Sequence, residues 1–123
     1  MNRKGFTLVE VLIVVIIIGI LAAIGIPQFA ASIEKAKGGE ARAGLGHLQT
    51  GEKIYFSENE MYTNATSDLD ISLSEKYWAF TIAVATPSST YTATATRSGV
   101  SARAGQTITM DESGTLGGNW EFL

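Results

Sequence analysis

The chain has no cysteine, so no disulfide can staple it and no thiolate can serve as nucleophile or metal ligand. Cysteine usage therefore says nothing about redox compartment. Histidine occurs once, at His47, and without cysteine it cannot supply a histidine- or cysteine-based metal or nucleophile site; a solvent-facing or helix-packing role is expected. No catalytic residue, metal ligand or cofactor site is assigned. Basic charge is also short: nine Lys and Arg stand against 12 Asp and Glu. That balance argues against a general electrostatic surface for nucleic acid, and no nucleic-acid partner is expected. One further absence is local. From Val11 to Ile33 there is no charged side chain in 23 residues.

As a helix that stretch measures about 34 Å, enough to cross a hydrocarbon core of about 30 Å. It contains 14 residues of Ile, Val, Leu or Phe, and at about 0.3 to 0.6 kcal/mol each they hold a helix in a bilayer by several kcal/mol. A core helix of a soluble protein would need a larger surrounding domain than 123 residues provide. A conventional secretory signal would have a longer leader, a shorter apolar run and no acid so near its start. Arg3 and Lys4 flank the run on its N-terminal side and Glu34 on the other, so the positive-inside bias puts the leader in the cytoplasm and the remainder outside. Glu10 is the one interruption of the apolar character. A carboxylate in a membrane helix costs up to about 2.5 to 3.5 kcal/mol at the centre and less near the end, so it calls for a partner.

Beyond the run, Phe29, Ile33, Ala36, Ala41, Leu45, Leu48 and Tyr55 recur at intervals near three and four, with a slip of five across Gly38-Gly39. The expected helix runs from about Phe6 to about Phe56, apolar all round in its first half and on one face in its second. Gly38, Gly39, Gly44, Gly46 and Gly51 fall in the second half, and each costs up to about 1 kcal/mol relative to alanine. Either a sheet packs closely against the helix and the glycines let backbones approach, or the helix breaks near Gly38-Gly39. A polar loop follows to about Lys76. Tyr77 to Ala85, Tyr91 to Arg97 and Gln106 to Met110 then read as strands, with turns at Pro87-Ser88-Ser89, Ser98-Gly99 and Asp111 to Gly114, and Asn119 to Leu123 as a candidate last strand. The short connections imply an antiparallel meander. The expected fold class is α+β: a long N-terminal helix packed on a small antiparallel sheet of three to four strands.

Gly5-Phe6-Thr7-Leu8-Val9-Glu10, the apolar run after it, and Gly19-Ile20-Leu21-Ala22-Ala23-Ile24-Gly25-Ile26-Pro27 closely resemble the class III signal of type IV pilins and pseudopilins. The resemblance in motif covers about Arg3 to Pro27. It implies a leader of residues 1–5, recognised through Arg3 and Lys4, that a prepilin peptidase removes by cutting between Gly5 and Phe6. Phe6 then becomes the N-methylated first residue. The freed Phe6 amine can meet the Glu10 carboxylate of an adjacent subunit in a bundle of parallel helices. At 4 Å and an effective dielectric near 20 the attraction is about 4 kcal/mol before desolvation, which makes the pair a setter of axial register more than an adhesive. The resemblance also implies that Gly19, Gly25 and Pro27 let the helix melt locally and extend as the bundle packs, although membrane helices tolerate Gly and Pro in any case. Many pilins close a C-terminal loop with a disulfide, from which this chain departs.

The expected organisation is leader 1–5, transmembrane and assembly half of the helix 6–31, and globular head 32–123. The expected function is a structural subunit of a type IV pilus, not an enzyme. Expected partners are further copies of the chain in a helical homopolymer, the prepilin peptidase, inner-membrane assembly machinery, and membrane lipid before assembly. The expected location is the inner membrane as precursor and then a cell-surface filament. A pseudopilin of a type II secretion system or a competence pilin shares the same signal, and Gly118-Asn119-Trp120 resembles pseudopilin tails. A membrane-anchored binding module that never polymerises is the alternative of another class. Asp68 with Asp70, or Asp111 with Glu112, lack a recognised calcium-loop spacing and read as solvated turns. Asn64-Ala65-Thr66 fits a glycosylation sequon.

Overall fold

The computed structural model describes residues 5–123. The leader assignments of Arg3 and Lys4 lie outside the described residues. The chain divides into two compact units, one ending at Glu34 and the other Lys35–Leu123.

Helix α1 is Leu8–Asn59 and carries Pro27 within it. In the first unit its large apolar side chains, from Leu8 to Ile33, are all exposed. By length and composition it can cross a membrane. In the second unit α1 runs through Gly38-Gly39 without a break, so of the two readings left open by the glycines the packed helix holds. The helix stops at Glu60, whose positive φ of 58° takes it out of the helical region while its N–H still bonds the Phe56 carbonyl at 2.8 Å.

Four strands follow a short 3₁₀ turn at Thr66–Asp68: β1 (Trp78–Val84), β2 (Tyr91–Arg97), β3 (Thr107–Asp111) and β4 (Leu116–Gly118). They form one antiparallel meander in chain order. Register follows the period-two pattern, with Trp78 opposite Arg97 and Val84 opposite Tyr91. In β2, Tyr91, Ala93, Ala95 and Arg97 are buried while Thr92, Thr94 and Thr96 face outward, as the alternation of small apolar residues with threonine requires. The core joins Ala41, Leu45 and Leu48 of α1 to Trp78, Phe80, Ile82, Ala93, Ala95 and Ile108 of the sheet and to Trp120.

Two expectations are corrected. The buried apolar stripe of α1 does not include Phe29, Ile33 or Ala36, which are exposed; the positions against the sheet side are Gly38, Ala41, Gly44, Leu45, Leu48, Gly51 and Glu52, all buried. Nor does the last strand form at Asn119 to Leu123. It forms earlier, at Leu116–Gly118, and the reason is local. The Asn119 side-chain carbonyl accepts the Thr107 N–H at 2.7 Å, while the Thr107 carbonyl accepts the N–H groups of both Asn119 and Trp120 at 3.0 Å. Those bonds use up the ladder positions a longer strand would need. Gly118, at φ 114°, turns the chain where a Cβ would strike the Thr107 backbone. Trp120 then enters the core edge-on to Trp78, 5.6 Å between ring centres. The Gly118-Asn119-Trp120 sequence thus acts as a latch for the C-terminal segment.

The glycines act in a more selective way than expected. A Cβ on Gly38 would fall inside the Trp120 ring and one on Gly44 inside the Phe80 ring; at Gly51 it would press on Ile71 and Leu69 at 3.2 to 3.3 Å. Gly39 and Gly46 face open space. Close approach is therefore made by side chains over the bare helix, aromatic rings at Gly38 and Gly44 and the aliphatic Ile71 and Leu69 at Gly51, not by sheet backbone, and it needs three of the five glycines.

Candidate functional site

The residues singled out for maturation and assembly stand at the start of α1. Gly5 and Phe6 precede the helix and are exposed, Phe6 at 85%. Thr7 caps it: its Oγ1 accepts the Glu10 N–H at 3.2 Å, and its carbonyl accepts the Val11 N–H at 3.3 Å. The sequence Thr7-Leu8-Val9-Glu10 thus has the spacing of a capping box, with Glu10 in the first turn where an acid also complements the helix dipole. This local role was readable from a threonine three residues before a glutamate at the head of an apolar run. Phe6, Glu10, Val11, Val14 and Val15 line one shallow hollow, so the phenylalanine and the acid are brought to the same face.

Further along, a Cβ on Gly19 or Gly25 would meet nothing. Pro27 has no N–H to give the carbonyl of residue 23, so the ladder lacks one bond there. These three positions are spread along an exposed helix and form no joint site.

The head holds one unusual titratable pair. Glu52 is fully buried. Its Oε2 accepts the Thr63 N–H at 3.1 Å, and its Oε1 has no hydrogen-bond partner among the described residues. Burial raises its pKa above the ordinary 4.5, opposed by the Thr63 N–H and assisted by nearby Asp68. The buried Tyr91 hydroxyl is likewise without a partner, and its pKa is raised by burial and then by Glu52, so it stays protonated. The signal for Glu52 was present in the sequence: with Leu45, Leu48 and Tyr55 it keeps the three-four-three spacing of the buried face.

The acidic turns are occupied by their own loops. Asp111 accepts the Ser113 N–H at 3.0 Å, the Ser113 hydroxyl at 2.6 Å and the Thr115 N–H at 2.9 Å, which hold its pKa below the ordinary value. Asp68 accepts the Thr63 hydroxyl at 2.7 Å. Among the described residues no group of three or more His, Asp or Glu is placed to hold a metal ion. His47 is exposed at the mouth of a groove it lines with Glu58, Asp68 and Asp70.

Comparison with known proteins fits this arrangement. Residues 1–26 match the family described as "Prokaryotic N-terminal methylation motif", and residues 27–109, more than half of the chain, match the family described as "Type IV minor pilin ComP, DNA uptake sequence receptor". The chain belongs to this family of type IV pilins. It is 46% identical over 68 residues to the type IV major pilin protein PilA of Myxococcus xanthus, covering 55% of this chain and 31% of that protein. It is 41% identical over 63 residues to the type IV wide pilus major component PilA4 of Thermus thermophilus, covering 51% of this chain and 48% of that protein. Similarity extends to the type II secretion system core protein G of Aeromonas hydrophila, 34% identical over 69 residues, 56% of this chain and 48% of that protein. The chain thus spans from under a third to about half the length of the curated relatives it matches. Among solved structures, a type IV pilin from Shewanella oneidensis aligns with TM-score 0.48 and 14% identity, over 62% of this chain and 81% of that chain.

Proposed function

We propose that the chain is a structural subunit of a type IV pilus, made as an inner-membrane precursor and polymerised through the first half of α1. The observation that carries this reading is a helix segment whose large apolar side chains are all exposed, interrupted only by Glu10. Such a surface is stable in two places, a bilayer and a dry bundle of like helices, and transfer from one to the other is filament assembly. In this reading residues 1–5 are a leader, 6–31 the membrane and assembly segment, and 32–123 the head. Arg3 and Lys4 keep the Gly5–Phe6 bond on the cytoplasmic side. A prepilin peptidase cuts there and Phe6 is N-methylated. The Phe6 amine of one subunit meets Glu10 of its neighbour and fixes the stagger. Gly19, Gly25 and Pro27 mark the stretch where the helix loosens as subunits pack. The protein acts as a building block and catalyses nothing.

A pseudopilin of a type II secretion system is the second reading, favoured by the similarity to core protein G and by the Gly118-Asn119-Trp120 latch. Imaging surface filaments in cells with and without the chain, alongside a secretion assay, separates the two. Loss of filaments with normal secretion is the expected result. Normal filaments with failed secretion would transfer the chain to the second reading, and no change in either would leave a competence pilin or a membrane-anchored binding module that never polymerises.

A further inference from the structure

A single carboxyl group stands where α1, β2 and the segment 63–72 meet. Glu52, fully buried on α1, accepts the Thr63 N–H at 3.1 Å, and Tyr91 of β2 lies within range of its charge. Thr63 is buried too and passes the connection on. Its hydroxyl donates to Asp68 at 2.7 Å and accepts the Ala65 N–H at 3.1 Å, and the Asp68 N–H bonds the Ala65 carbonyl at 3.1 Å. Leu69 and Ile71 then rest on Gly51, the residue before Glu52. The segment is thus fastened to α1 by a hydrogen-bonded chain that begins at Glu52. Tyr62 is the fixed end from which it leaves: its N–H bonds the Ser88 carbonyl at 3.0 Å, and its ring meets Tyr91 edge-on at 4.7 Å. Asp68 to Ser72 also form one wall of the groove lined by His47, a space of about 620 Å³ whose other wall is the last turns of α1.

Both forms of the carboxyl group can accept the Thr63 N–H, so that bond does not distinguish them. Their surroundings do. The second carboxyl oxygen has no partner among the described residues, nor has the Tyr91 hydroxyl, so neither reaches the other. The groups acting on Glu52 and Tyr91 are Asp68 from the segment, Asp111 and Glu112 from the turn after β3, and the phenol of Tyr62. Among these there is no cation. On α1 itself, Lys53 is exposed and Tyr55 partly buried. A negative charge on Glu52 is therefore buried beside another acid with one hydrogen bond to hold it, a costly state that hydration of both oxygens relieves. Ionisation and closure oppose each other. The element with least to hold it is the segment, which outside the short Thr66–Asp68 turn belongs to neither helix nor sheet. We propose that Glu52 is a proton-operated clasp: protonated, it holds the segment 63–72 against α1, and ionised, it releases the segment and dismantles that wall of the groove. Raising the pH opens the head locally, with the sheet left in place, and lowering it closes the head again. The raised pKa of Glu52 has the sign this requires, because a group that keeps its proton better in the closed form drives opening as pH rises.

The test is hydrogen exchange of the full chain in non-ionic detergent, read by mass spectrometry at about pH 5 and about pH 8. Each rate is divided by that of the same chain unfolded in denaturant, which removes the intrinsic effect of pH. Protection of the peptide covering 63–72 should fall on the order of ten-fold between the two, the effect of a pKa one unit higher in the closed form, while peptides covering β1 and β2 keep theirs. Glu52→Gln retains an acceptor for Thr63 without a charge, so the segment should stay protected at both pH values. Asp68→Asn retains an acceptor for the Thr63 hydroxyl and removes the neighbouring charge, so the fall should shrink. His47, which lines the groove, is the other group whose charge can change there, and His47→Gln should leave the fall as it is. Equal protection of the segment at both pH values in the native chain overturns the proposal. So does a fall that survives Glu52→Gln, a fall that His47→Gln abolishes, or one that β1 and β2 share, which is unfolding of the whole head. Should Glu52→Gln lose the protection of β1 and β2 at both pH values and so fail to fold, Asp68→Asn decides, and an undiminished fall in that variant overturns the proposal.

Discussion

Thr7 and Glu10 share one turn of helix, and the two functions that turn can serve are separable by chemistry. As a cap, Glu10 needs only a side chain with an acceptor at the third helical position, and glutamine satisfies that. As the partner of a neighbouring Phe6 amine it needs its negative charge. Glu10→Gln should therefore leave insertion and helix content intact and reduce filament yield about as far as Glu10→Leu does, measured by quantifying sheared filaments. A glutamine variant that assembles normally would leave Glu10 as a cap and remove the register role. Glu52 makes a second prediction at this scale. With its pKa raised above 4.5 in the fold, the native state binds more protons than the unfolded chain between 4.5 and the raised value, so stability falls as pH rises through that window. Glu52→Gln keeps an acceptor for Thr63 and removes the buried charge. Thermal unfolding of the full chain in detergent should show a flatter pH profile and a gain on the order of 1 kcal/mol at neutral pH, the scale of an unsatisfied buried group. A loss at neutral pH would mean that the carboxylate is stabilising where it lies. Asp111, held low by Ser113 and Thr115, has the opposite sign: its contribution is present above its ordinary value and is lost as pH falls.

The elements of the head are joined by rings resting on bare helix. Gly38→Ala and Gly44→Ala drive a methyl into Trp120 and Phe80, and each should destabilise by about 1 to 3 kcal/mol, the usual cost of overpacking. Gly39→Ala and Gly46→Ala meet open space and should stabilise by up to about 1 kcal/mol through helix propensity alone. Unfolding curves for the four variants check the contrast; equal effects at all four would show that the rings move aside. This sorting was not legible in the sequence, where the five glycines look alike, because it depends on where Trp120 and Phe80 come to rest. The helix, the first three strands and the meander were legible, since period and turn chemistry are local. The last strand was misplaced for a reason of the same kind. Asn119 to Leu123 has strand-like residues, but an asparagine side chain takes the Thr107 N–H and diverts the chain into the core.

At the scale of the whole molecule, the apolar first half of α1 was the most legible part as an element, because a charge-free run of that length reads as helix long enough to cross a membrane. The central claim is that this chain becomes a filament subunit by losing its leader and exposing a new amine at Phe6. Mass spectrometry of the chain recovered from sheared surface filaments tests it most directly. The account predicts a first residue of N-methylated Phe6 with Met1 to Gly5 missing. A chain that begins at Met1, or one cut after Ala31 as a conventional secretory signal would be, would contradict it.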